Sequence, residues 1–176
     1  MEKVLFTEEQ RNTQWWLWLL LAAAFLAVLI PFSIGIYQQL VLGEPWGDQP
    51  ASDTGLVLTG LFSNLVMLGV LLLVRFSRLN TKITTQSIYV QYWPLMRKWK
   101  KITPAEIGSY ELRTYRAKRE YGGHGIRRRL RSGRAYTIMG NMGLQLYLKN
   151  EKKILIGTQR KQAIEYAMRK LMEGEE

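Results

Sequence analysis

Two stretches of the chain, residues 15–37 and 54–74, are apolar with no solvated face, and neither holds an ionisable group except the phenol of Tyr37. Helices of these 23 and 21 residues would rise roughly 34 and 31 Å, against a bilayer hydrocarbon core of about 30 Å, so each run predicts a membrane-spanning helix. After Arg75 the pattern changes to short segments of period two broken by turn residues, the signature of antiparallel strands. Leu144, Leu146 and Leu148 alternate with Gln145, Tyr147 and Lys149, and Ile154 and Ile156 follow a turn at Asn150-Glu151. Residues 144–156 therefore read as a hairpin. Further strands are predicted over 82–84, 88–93, 98–102, 109–115, 125–131 and 135–139. Near the end, Ile164, Ala167, Met168 and Leu171 recur at helical spacing opposite Lys161, Glu165, Arg169 and Lys170, predicting one amphipathic helix that starts near Thr158 or Gln159. Ahead of the first apolar run, Thr7-Glu8-Glu9-Gln10 fits a capping box and predicts a helix that begins before the membrane.

These elements predict a membrane-anchored α+β protein: a two-helix transmembrane hairpin, then an antiparallel β-barrel or sandwich capped by a C-terminal helix. The boundaries are an N-terminal segment (1–14), helix 1 (15–37), an outer loop (38–53), helix 2 (54–74), a linker (75–80) and the sheet domain (81–176).

Charge orients this arrangement. No Lys or Arg lies between Arg11 and Arg75, whereas 23 of the 25 basic residues fall from Arg75 onward, against 8 acidic ones. The connector 38–53 carries Glu44, Asp48 and Asp53 and nothing basic, so the positive-inside rule places both termini in the cytoplasm. Trp15, Trp16 and Trp18 at one end of helix 1, and Tyr37 and Trp46 near the other, are candidate interface anchors. The acidic N-terminal segment and the length of the first run favour an uncleaved anchor over a signal peptide. The whole-chain mean hydropathy of −0.13 hides this division between two solvents.

The ordered motifs Glu9-Gln10-Arg11, Gln14-Trp15-Trp16-Leu17-Trp18-Leu19-Leu20, Tyr121-Gly122-Gly123-His124-Gly125-Ile126-Arg127, Gly140-Asn141-Met142-Gly143-Leu144-Gln145-Leu146 and Ile156-Gly157-Thr158-Gln159-Arg160 span nearly the whole chain. Together they resemble an uncharacterised family of small bacterial two-helix membrane proteins with a C-terminal pleckstrin-homology-like domain. The resemblance implies a PH-like fold for residues 81–176 and the bacterial inner membrane as location. Two positions depart from the family pattern: His124 stands where an aromatic, usually Trp, is expected, and Lys161 where Pro often opens the last helix.

The densest charge is Arg127-Arg128-Arg129-Leu130-Arg131-Ser132-Gly133-Arg134. Read as a strand, it lines Arg127, Arg129 and Arg131 along one face about 6.7 Å apart. Arg127, Arg128, Arg129, Arg131 and Arg134 are the candidate lipid- or partner-binding residues. The competing account is a solvated edge strand protected from aggregation by its charges. The absence of cysteine and the single His124 exclude thiolate chemistry and a histidine-rich metal site. His124 titrates near neutrality but sits in a glycine-rich loop that lacks the P-loop spacing. Glu106, Glu111 and Glu120 show no carboxylate pairing for acid–base catalysis. No cofactor, metal, catalytic residue or nucleic-acid partner is expected. Asn64 and the spacing of Gly55, Gly60 and Gly69 offer a route to helix packing or a homo-oligomer. Two functions are compatible with the sequence: a membrane-anchored, non-enzymatic binding or scaffolding protein contacting anionic headgroups or a protein partner, and an accessory subunit of a larger membrane complex assembled through its two helices.

Overall fold

A computed structural model describes residues 2–174. The chain divides into two compact units, one of residues 13–75 and one that joins residues 2–12 to 76–174.

The first unit is helical. Helix α1 (Trp15–Ile36) runs on into a π-helical turn over Tyr37–Val41, and α2 follows over Asp53–Phe76. Both are long and apolar enough to cross a membrane. Leu19, Leu20, Leu58, Leu61 and Phe62 lie exposed on their surfaces, as suits a lipid solvent rather than water. Gly60 and Gly35 are close-approach positions, because a Cβ there would collide with the rings of Phe32 and Trp46 respectively. Asn64 donates its amide to the Gly60 carbonyl of its own helix at 2.8 Å.

Among the described residues the second unit holds nine strands, one α-helix and two short helical turns, Pro104–Glu106 and Ala117–Tyr121. Strands β1 (Val4–Arg11), β2 (Arg78–Thr84), β3 (Ile88–Trp93) and β4 (Met96–Ile102) form an antiparallel meander. Strands β5 (Ile107–Thr114), β6 (Gly125–Arg129), β7 (Gly133–Thr137), β8 (Met142–Leu148) and β9 (Lys153–Gly157) form a second sheet in the order β5-β8-β9-β7-β6. One core joins Leu79, Ile83 and Val90 of the first sheet to Tyr136, Leu144, Leu146 and Ile156 of the second. Helix α3 (Lys161–Glu173) adds Ile164, Ala167, Met168 and Leu171 to that core and lies against β1, β2 and β8.

Four expectations are corrected. The two sheets do not close into a barrel, and β7 and β9 pair in parallel. Gly133 permits this, since a Cβ there would strike the Lys153 carbonyl and its φ of +79° suits glycine. The linker expected up to residue 80 is shorter, because α2 ends at Phe76 and β2 begins at Arg78. The strand expected over 125–131 stops at Arg129, so Arg131 lies in the β6–β7 turn.

The largest correction is at the N-terminus, where residues 4–11 form a strand rather than a capped helix start. Phe6, Glu8 and Gln10 alternate as buried positions, but two of the three are polar and disguise the period-two signal. Their partners lie about 150 residues away in sequence. The Glu8 carboxylate accepts from the Thr158 hydroxyl at 2.7 Å and the Gln159 N–H at 2.8 Å, and Gln10 donates to the Gly157 carbonyl at 2.8 Å. A local capping box cannot compete with a ladder to β2 that also places an anion beside the start of α3.

Candidate functional site

Pairing of β6 with β7 sorts the arginine run by strand parity. Ile126 faces Tyr136 and Arg128 faces Arg134; since Tyr136 is core and Ile126 packs against it, both arginines occupy the core-side face. Arg127 and Arg129 pair with Ala135 and Gly133 on the opposite face. In the other sheet Lys100 is the partner of fully buried Val90, which puts Lys100 on the core-side face of β4. Three cations thus stand on the core-side faces of the two sheets, most of whose other residues are apolar.

Together they line a groove of about 540 Å³ with Lys152 of the β8–β9 turn, Lys153 at the start of β9, and the apolar side chains of Leu148 and Ile154. That volume is large enough for a phosphorylated headgroup. Seven of its lining residues are Lys or Arg, and Glu151 is the one carboxylate among them. Arg134 donates to the Tyr136 hydroxyl at 3.3 Å, and the Lys100 ammonium lies 5.8 Å from the centre of the same ring. Among the described residues Arg128 has no ion pair. Burial pushes the Lys100 pKa down, and the charges of Arg134 and Lys152 push it further, with Glu106 opposing them only in part. Like charges placed directly across a ladder destabilise a sheet, so an anion entering the groove removes a cost that the fold otherwise carries. At the tip of the same hairpin Leu130 projects fully exposed between Arg129 and Arg131.

On the opposite face of the second sheet the arginines already have partners. Tyr115, Ala117, Tyr121, Ala135 and Leu155 form a small second core beneath the segment 115–124. Arg113 pairs with Glu120 at 2.7 Å and donates to Gln145 at 3.1 Å and to the Tyr121 hydroxyl at 3.3 Å. Arg127 donates to the His124 carbonyl at 3.0 Å and Arg129 to the Arg119 carbonyl at 3.4 Å. The sequence had pointed to Arg127, Arg129 and Arg131 as one row. Instead Arg128, Arg129, Arg131 and Arg134 all line the groove, Arg129 also donating to the Arg119 carbonyl, whereas Arg127 turns to the His124 carbonyl on the other side.

Sequence reasoning missed Lys100, Lys152 and Lys153. A signal for Lys100 was present: it lies two residues before Ile102, at the apolar parity of its strand. His124 is exposed in its loop, where partial desolvation and then the Lys118 charge lower its pKa. The three carboxylates considered for catalysis each have partners of their own, although Arg113 is shared by Glu111, at 3.9 Å, and Glu120. Glu106 accepts from the backbone and hydroxyl of Thr103 at 2.8 and 2.9 Å, Glu111 from Tyr147 at 2.6 Å, and Glu120 from Arg113. Of the anchor residues, Trp15, Trp16 and Tyr37 are exposed and Trp18 is half-buried, whereas Trp46 packs toward Phe32 with ring centres 6.4 Å apart. Comparison with known protein families, with curated proteins and with solved structures finds no match to this chain.

Proposed function

We propose that this chain is a membrane-anchored, non-enzymatic binding module of the bacterial inner membrane, whose PH-like domain holds an anionic phospholipid headgroup in the groove at Lys100, Arg128 and Arg134. The observation that carries the reading is the pair Arg128 and Arg134, set opposite each other on a core-side face and pointing with Lys100 at a space that Glu151 alone cannot neutralise. Guanidinium groups suit a phosphate because they donate two parallel hydrogen bonds to its oxygens. Cytoplasmic placement of both helix flanks is supported by charge and by connectivity: the chain leaves the first sheet at Arg11 and re-enters it at the paired residue Arg78, so an even number of crossings lies between. Basic residues near an anionic leaflet gain roughly 1 kcal/mol each, which favours a lipid over a soluble ligand.

The test is to extract the full chain gently and identify the phospholipid that stays bound. The natural chain should retain an anionic lipid that Arg128→Gln/Arg134→Gln loses, with affinity about 100-fold weaker if each arginine contributes ~1.5 kcal/mol through charge-assisted bonds. Equal retention by both forms, together with a co-purifying protein complex that depends on α1 and α2, would instead identify an accessory subunit.

A further inference from the structure

We propose that the β3–β4 turn, Trp93-Pro94-Leu95, is a second membrane contact of this chain, seated in the headgroup layer independently of the groove. The inference rests on the reading that α1 and α2 span a bilayer. Arg11, Arg78 and Trp93 stand side by side as register partners across β1, β2 and β3. Only Ser77 separates Phe76, the last residue of α2, from Arg78, so those two residues are at most about 7 Å apart. Trp93 lies on the strand next to Arg78, about 4.8 Å further. Because β3 runs antiparallel to β2, Pro94 and Leu95 continue past this row in the direction in which β2 leads back to Ser77 and Phe76. The interfacial layer outside the hydrocarbon is about 5 to 8 Å deep, a depth that a turn tethered by chain connectivity within about 12 Å of the last residue of α2 can reach.

Its chemistry fits that layer. Leu95 is 62% exposed, and Trp93 beside it is also exposed at 36%. The Arg97 guanidinium lies 4.9 Å from the centre of the Trp93 ring, a pairing that leaves the cation free to meet phosphates while the indole sits below it. Arg11 and Arg78 lie along the same sheet end. The opposite end of these strands is built differently. There the β2–β3 turn, residues 84–87, is wholly polar, and Thr84 and Ser87 satisfy each other through hydrogen bonds. One end of the sheet suits an interface and the other suits water.

The chain has no cysteine, so single-cysteine variants of the full protein can each carry one fluorophore. Leu95→Cys, Gln86→Cys at the far turn and Leu65→Cys within α2 are reconstituted into liposomes of phosphatidylethanolamine and phosphatidylglycerol. Nitroxide lipids, present in both leaflets so that orientation does not matter, carry the quencher either at the headgroup or deep in the acyl chain. The label at position 95 should be quenched by the headgroup nitroxide several times more than the label at position 86, and the label at 65 by the deep one. Quenching at 95 no greater than at 86, with 65 quenched as expected, overturns the turn contact and leaves the spanning reading intact. An unquenched label at 65 overturns the spanning reading and the turn contact with it. Neither result bears on Arg128 and Arg134, which none of these variants touches.

Discussion

The two faces of the five-stranded sheet use the same residue type in opposite ways. On the face covered by the segment 115–124, Arg113 is enclosed by Glu120, Gln145 and Tyr121, and Arg127 and Arg129 donate to loop carbonyls. On the core-side face, Arg128 and Arg134 oppose each other beside Lys100. An arginine with its hydrogen bonds already made contributes to folding. One held against another cation costs the fold something, and that cost is returned when an anion binds. Arg127, Arg128 and Arg129 are consecutive yet alternate between the two faces, so only the pairing of each cation separates structure from candidate site.

This contrast can be broken first at Arg113. Replacing it with Leu removes the ion pair of half-buried Glu120 and the guanidinium hydrogen bonds to buried Gln145, and denaturant unfolding of the full chain should show a loss of about 2 kcal/mol. Retention of anionic lipid should not change. If Arg113→Leu were harmless to stability but abolished lipid retention, the assignment of the two faces would be reversed.

A smaller effect of opposite sign is expected in the groove. Arg128→Gln removes one member of a like-charge pair and should raise stability by roughly 0.5 kcal/mol while weakening lipid retention. A loss of stability in the same unfolding measurement would mean that Arg128 is structural.

The smallest effects are in pH dependence, and they fall at opposite ends of the scale. Burial alone would raise the Glu120 pKa, but the hydrogen bond and charge of Arg113 and the Arg116 N–H hold it below its ordinary value of 4.5. Its stabilisation is therefore complete above about pH 4.5 and is lost as pH falls through the lower folded value. Lys100 is also shifted down, but as a base its charged form is the unfavourable one. The cost is present at neutral pH and fades as pH rises from the folded value toward 10.5. Melting temperatures against pH should show the acid dependence weakened in Glu120→Gln and the alkaline gain absent in Lys100→Met.

The glutamate and glutamine of β1 show why part of the fold escapes sequence reading. Strands β3, β8 and β9 and helix α3 were legible because one side of each pattern is apolar and the period assigns the type. Glu8 and Gln10 are buried for the sake of Thr158, Gln159 and Gly157, and nothing near them in the chain announces those partners. The groove escaped for a related reason: Lys100 and Arg128 belong to different sheets, and their meeting depends on how two layers pack.

The sequence by itself determined the two apolar spans, the asymmetry of charge across them, and the order of strands and helix, because each of these is written in local composition and period. Tertiary structure alone decided that the residues before the first span complete the sheet that follows the second. It alone decided which cations share a space, because strand register and turn position set side-chain direction, and a shift of one residue moves a charge from one face to the other.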